Sequence, residues 1–431
     1  MKTKTSLTCG SALAALMVLG LASGASAQET VTAWKGAPQF TNDGVSFKVR
    51  GRILIDAVFQ DVDRETGADF STRAFRGRQV FLGVEGQINQ YFAYKAEGGA
   101  VNGGAWAWDD VVIEYKPNDN TSVMFGNIKA AGLENLTSTR FTTFMDRGPY
   151  GEIGPDSYLV SAVVKMNGEN WTATGAVQGD SLNNADLTTT VTGVPSAALA
   201  PDLKERIGFT ARASYAPILT DTDKVHVALF GRYRDHGNEA AFSYATRPGT
   251  AFGGRFLTSG AMGDTDTTWG GEFAWVHNAF SVQAEYADVA VTRLTTGTGA
   301  TVGGDPNVKV GYAFVGFWPT GETRNYDPKK GEFGRPKILN PVTAGGFGGV
   351  ELGLRYDWVD ATDVYNTAGN AASRTAARDS GEYSAWTAGV NYYPVPYVRF
   401  MANYTQATHN NPVLGRDVDV DQFQLRAQID F

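Results

Sequence analysis

Three cations stand at a spacing of two in Lys48-Val-Arg50-Gly-Arg52. In an extended strand that spacing puts all three on one face, roughly 6.6 Å apart. A guanidinium is a planar fork that grips phosphate or carboxylate through two parallel hydrogen bonds. A row of such groups can hand an anion from one to the next, and several moderate sites conduct better than one deep site because the ion must also leave. A second basic cluster, Arg73, Arg76 and Arg78, precedes Val80, Leu82 and Val84. Arg76 and Arg78 share parity with those apolar residues. They join the first cluster only above the apolar belt, or where a β-bulge shifts the register. A third set, Lys129, Arg140 and Arg147, lies within Phe125–Pro155 beside Leu133, Leu136, Phe141, Phe144 and Met145. That stretch is too apolar for a loop wholly in water and must bury its surface. Covalent chemistry is poorly supplied. There is no G-x-S-x-G motif, and His226, His236, His277 and His409 show no metal-ligand spacing. They read as ordinary residues at strand ends and loops, so neither a nucleophile with its base nor a metal or other cofactor is expected.

The elements that would carry these groups are strands. In Asp421–Phe431 the residues Phe423, Leu425, Ala427, Ile429 and Phe431 alternate with Gln422, Gln424, Arg426, Gln428 and Asp430. Such alternation places the two sets on opposite faces of one strand. It recurs at Val45–Phe59, Ile207–Tyr215, Val225–Tyr233, Phe280–Tyr286, Val350–Trp358 and Val398–Tyr404. Aromatic residues tend to close these apolar faces, as an interfacial girdle requires. About sixteen strands fit between residues 44 and 431, with connections that alternate short and long. Long ones fall at 180–203, 235–268, 292–307 and 359–382. Segment 319–348 is long but belongs by parity to the short-turn rim, so it either enters the interior or contains a further hairpin. The pattern predicts an all-β chain: a transmembrane antiparallel β-barrel of about 16 strands with its long third loop folded into the pore. A closed barrel satisfies every backbone group in lipid and leaves no edge. The competing arrangement is a soluble sandwich whose final edge strand ends in Phe431.

Composition narrows the class further. Acidic residues outnumber basic ones, 45 to 37, which argues against nucleic-acid binding. Met1–Ala27 reads as a signal peptide: Lys2 and Lys4, an apolar run from Leu13 to Leu21, then Ala25-Ser26-Ala27. Its removal before Gln28 takes away Cys9, the one cysteine, and two positive charges from a chain already at −8. The mature chain is then a single domain, 28–431. If the apolar strand faces meet lipid, the opposite faces, with Lys309, Arg399 and Glu97 among them, carry fifteen basic and ten acidic residues. A net-positive lumen inside a net-negative chain favours anions.

The chain resembles the phosphate-selective porin O and P family of outer-membrane channels. The resemblance lies in KVRGRILIDAVF at 48–59, FRGRQVFLGVEG at 75–86, GNIKAAGLENLTSTRFTTFMDRG at 126–148, TGETRNYDPKKGEFGRPK at 320–337, ELGLRYDWVD at 351–360 and DVDQFQLRAQIDF at 419–431. It implies a sixteen-stranded homotrimer in the bacterial outer membrane, with an anion constriction of inward arginines and the third loop, and phosphate or polyphosphate as solute. Two features depart from the family pattern: Gly77 separates Arg76 from Arg78, and Ala130-Ala131 follow Lys129 where Pro is frequent.

The expected function is therefore a passive anion-selective channel, without cofactor or catalysis. Lys48, Arg50, Arg52, Arg76, Arg78, Lys129, Arg140 and Arg147 are its candidate anion-binding residues. Expected partners are small anions, outer-membrane lipids, and the assembly machinery that reads the strand ending in Phe431. The alternatives are a general, weakly selective porin and, further away, a barrel enzyme or an adhesin or receptor.

Overall fold

The computed structural model describes residues 30–34, 36–42, 44–155, 157–183, 206–237, 242–249, 251–293, 303–413 and 415–431. The leader expected at Met1–Ala27, with Cys9, and the middles of the loops expected at 180–203 and 292–307 lie outside them. Sixteen strands form the wall: β1 Val45–Arg64, β2 Phe70–Gln87, β3 Phe92–Val101, β4 Ala105–Asn118, β5 Thr121–Ile128, β6 Leu159–Asn167, β7 Trp171–Gln178, β8 Ile207–Leu219, β9 Asp223–Asp235, β10 Gly263–His277, β11 Phe280–Arg293, β12 Asn307–Phe317, β13 Gly349–Asp360, β14 Glu382–Val395, β15 Val398–Asn410 and β16 Val418–Asp430. Each pairs antiparallel with its neighbour in sequence, and β16 closes on β1, with Asp430 opposite Arg52 and Val418 opposite Arg64. A hairpin, Thr30–Trp34 with Pro38–Asn42, extends the start of β1.

The faces are sorted inside out relative to a soluble sandwich. On β16 Leu425 is 41% exposed while Gln424 is 0% exposed. Phe423 and Ile429 follow Leu425, and Arg426 and Gln428 follow Gln424. Polar side chains inside and an apolar band outside are what lipid demands of a barrel wall. Gly51 in the basic motif is small for a local reason. The Phe431 ring lies over it, and a Cβ there would come within 2.7 Å of that ring.

Two segments fill the lumen from opposite rims. The third connection on the long-loop rim, 129–158 (L3), folds inward with two helical turns, Leu133–Leu136 and Tyr150–Ile153. Segment 318–348 enters from the other rim and holds a small hairpin, Tyr326–Asp327 with Glu332–Phe333. Its Tyr326 hydroxyl lies 2.7 Å from His226 Nδ1, Lys165 Nζ donates to Lys330 O at 2.9 Å, and Arg335 bonds Asp430 and Pro396 O. Phe333 N meets Thr137 Oγ1 of L3 at 3.3 Å. Parity put 319–348 on this rim and left two readings open; the segment enters the lumen and also holds a small hairpin. His226 corrects the expectation of rim histidines: it is buried on the luminal face of β9, bonded to Glu272 and Tyr326.

The luminal face is not polar throughout. Val289, Val308, Val310, Tyr312 and Phe314 turn inward from β11 and β12. They form one apolar core with Phe144, Tyr150 and Ile153 of L3, Leu257 and Met262 of 236–262 (L5), and Val364 and Ala377 of 361–381 (L7). Here both faces of the wall are apolar, so inward loops must cover the inner one. Lys309 is corrected by the same geometry: it alternates with buried Val308 and Val310 and is exposed on the outer face, opposite Asp288 and Asp360.

Candidate functional site

The basic motif of β1 keeps the ladder its spacing predicts, and each rung meets a carboxylate. Lys48 Nζ is 3.9 Å from Glu85. Arg50 bonds Glu85 through Nη1, and its Nε lies 2.9 Å from Glu97. Arg52 donates to Gln79 at 2.7 Å and Glu97 at 3.0 Å, also bonds Asp109, and lies over the Phe81 ring with its carbon 4.3 Å from the centroid. From L3, Arg140 Nη2 reaches Glu97 at 2.5 Å. Glu97 is thus the hub for three guanidiniums. Arg140 Nε also lies 3.9 Å from Asp430, which Arg335 bonds. Five cations (Lys48, Arg50, Arg52, Arg140, Arg335) thus face four carboxylates (Glu85, Glu97, Asp109, Asp430). Beside them Lys95 bonds Asp110 at 2.5 Å.

The second cluster depends on a backbone irregularity, one of the two readings its parity left open. Leu54 pairs with Gln79 but Ile55 pairs with Gly77, so Arg78 is the extra residue of a bulge in β2. The shift puts Arg76 opposite Asp56, on the luminal face, while Phe75 points outward and is 75% exposed. Arg78 reaches Asn102 and the L3 residue Asp146, each at 3.3 Å. Arg73 pairs with Phe59, on the outer face.

L3 is held by its own cations and by the wall. Arg147 donates to the carbonyls of Glu134 at 2.9 Å and Thr137 at 2.7 Å. Lys129 donates to Asn135 O at 3.1 Å and lies 4.4 Å above the Tyr158 ring. Burial, aided by the nearby Arg147 charge, pulls the Lys129 ammonium down to about 7. The Glu285 carboxylate of β11 accepts Leu133 N–H and Glu134 N–H, both at 2.7 Å. Glu134 bonds Arg355 of β13, which Asp357 holds at 2.8 Å.

Of the eight candidates, Lys48, Arg50, Arg52 and Arg140 converge on one site. Arg78 joins it through L3. Lys129 and Arg147 brace L3 itself, and Arg76 stands apart. Residue type alone missed Glu97 as a hub, Asp109 as a partner, and Arg399, which grips L3 carbonyls. Parity put Glu97 and Arg399 on the right face; only the fold of L3 gives them partners. Among the described residues no group of three or more His, Cys, Asp or Glu is arranged to hold a metal ion. A paired guanidinium still has N–H donors left over for a passing anion. The site can therefore attract, orient and release an ion.

The sequence profile of one family, "Phosphate-selective porin O and P", matches residues 47–431. The chain belongs to this family. Among curated proteins it is similar to Porin O of Pseudomonas aeruginosa, 27% identical over 432 residues that cover 91% of this chain and 90% of that one. An uncharacterized protein of Caulobacter vibrioides is 28% identical over 421 residues, covering 94% and 78%. The barrel resembles solved structures: the OmpT outer membrane protein of Vibrio cholerae (TM-score 0.52, 11% identity, 91% of this chain and 99% of that one) and the anion-selective porin from Comamonas acidovorans (TM-score 0.50, 12% identity, 89% and 100%). At such identities these two show the fold alone. Family and fold are those of an outer-membrane porin. In this member of the porin O and P family, L3 and the charged face of β1–β3 lie inside the barrel.

Proposed function

We propose that the protein is a passive anion-selective channel of the bacterial outer membrane, favouring phosphate or polyphosphate. The observation that carries this reading is the convergence of Lys48, Arg50, Arg52 and the L3 residue Arg140 on one luminal site, with more cations than carboxylates. The ladder attracts the anion, L3 narrows its path, and the moderate strength of each rung lets it leave. The family name supports phosphate as the preferred solute. The porin fold supports a homotrimer, with long loops outward and short turns toward the periplasm. The leader ends at Ala27, and N-terminal sequencing of the mature protein should read from Gln28. The strand ending in Phe431 serves as the signal for the assembly machinery.

A second reading has its own observation. Glu85, Glu97, Asp109 and Asp110 pair with most of the cations, which is how a general porin would balance its lumen. The zero-current potential of reconstituted trimers under a KCl gradient separates the two. An anion-selective potential, with chloride current blocked by added phosphate, supports the first. Anion selectivity without block keeps the channel and removes phosphate. A potential near zero or cation-selective establishes the general porin.

A further inference from the structure

L3 presents its backbone to the wall in one direction. Between Thr139 and Arg147, six carbonyl oxygens accept from side chains of β13–β16. Arg399 donates to Thr142 O at 2.6 Å and Thr139 O at 3.1 Å. Asn391 donates to Thr143 O at 2.8 Å, Gln428 to Arg140 O at 3.2 Å, Arg426 to Met145 O at 2.6 Å and Arg355 to Arg147 O at 2.6 Å. These five donors come from four adjacent strands, so the six carbonyls turn toward one arc of the wall.

In a planar trans peptide the C=O of one residue and the N–H of the next point in opposite directions, and no peptide bond here is cis. The N–H groups of Arg140, Phe141, Thr143, Phe144, Asp146 and Gly148 therefore point away from that arc. Arg140 N and Phe141 N are used locally, on Ser138. The amides of Thr143, Phe144 and Asp146 have no acceptor among the described residues. Backbone amides so deep in a protein need a partner, and concave runs of N–H groups receive anions in many proteins.

We infer that the main-chain amides of Thr143, Phe144 and Asp146 line the anion path opposite the arginine ladder, and that Arg355, Asn391, Arg399, Arg426 and Gln428 are positioning residues that hold them there. This rests on the anion-channel reading and names a second kind of ligand within it. The amides add donors without net charge, so an anion is gripped without the depth of a fully charged site. The division of labour is specific: side chains of one wall supply charge, and those of the other arc turn a backbone.

Bromide is the direct probe, since its anomalous scattering locates it in crystals of the native trimer. A bromide within hydrogen-bond distance of Thr143 N, Phe144 N or Asp146 N is expected, lost in Asn391→Leu. Bromide confined to the guanidiniums of Arg50, Arg52 and Arg140 overturns the inference. The electrical counterpart uses the uncharged substitutions Asn391→Leu and Gln428→Leu. Each should lower the anion-to-cation permeability ratio by about two- to threefold, as expected for weakened hydrogen bonds to a charged ligand. If both keep the native ratio while the native channel is anion-selective, the inference fails alone. If the native channel is not anion-selective, the parent reading fails first, and the two failures are distinguishable.

Discussion

The two arcs of the barrel wall solve different problems. On β1–β3 the luminal face is charged, and Lys48, Lys95 and Glu85 keep 15%, 30% and 37% of their side-chain surface in water. On β11 and β12 the luminal face toward the long-loop rim is apolar: Val289, Val308 and Val310 are at 0% exposure beneath L3, L5 and L7, while Gln283 and Glu285 turn inward nearer the short-turn rim. Outer faces of both arcs look alike to lipid. The difference teaches that the pore is not the barrel's interior but the part of it that inward loops leave to the charged arc. L3 is the divider. It packs Phe144, Tyr150 and Ile153 against one arc and extends Arg140 and Asp146 to the other.

The largest effect should come from the charged arc. Arg50→Gln with Arg52→Gln leaves Glu97 and Asp109 without two of their partners and makes the site net negative. Anion preference should fall by about tenfold, a shift of about 1.4 kcal/mol, and zero-current potentials read it directly. Unpairing buried carboxylates also destabilises, by about 3–5 kcal/mol at fully buried positions, so unfolding should be followed in the same variant.

Next comes a lesion in the filled arc. Leu257→Ala empties a site at 0% exposure and should cost about 2–5 kcal/mol in denaturant unfolding. Ion selectivity should be unchanged. A selectivity shift as large as that of the double arginine variant would erase the distinction between the arcs.

A smaller change, opposite in sign, belongs to the hub. Glu97→Gln removes one negative charge and frees donors on three guanidiniums. Anion preference should rise by about two- to threefold, the order expected for one charge in a partly screened site, and phosphate should block at lower concentration.

The smallest effect is a pH dependence. Lys129, pulled down to about 7, is charged below that pH and neutral above it. Anion preference should therefore decline modestly as pH rises between about 6 and 8. Lys129→Met should flatten the profile; an unchanged slope assigns the titration to another group.

Much of the barrel was legible because lipid enforces period two. The Phe423-to-Phe431 alternation, the strand number and the inward third loop all follow from where apolar residues fall. Segment 318–348 was visible only as a misfit of parity, and its place inside required the contacts of Tyr326 and Arg335. The apolar core was hidden for a physical reason. Val308 and Val310 lie among the apolar residues of β12, and periodicity cannot tell which apolar face meets lipid and which meets a loop. That same ambiguity misplaced Lys309. The pairing around Glu97 was hidden because it joins β1, β3 and L3, which no local pattern connects. Arg76 shows the reverse case: parity left a place above the apolar belt or a bulge, and the bulge is at Arg78.

The most direct test of the divided lumen exploits the cysteine content, since Cys9, within the proposed leader, is the only cysteine of the sequence. Lys48→Cys on the charged arc and Val308→Cys on the filled arc can each be exposed to a charged, water-soluble thiol reagent while single-channel current is recorded. A divided lumen predicts rapid modification and a stepwise change of current at position 48, and no reaction at position 308. Equal reactivity at the two positions, or reaction at 308 alone, would contradict it.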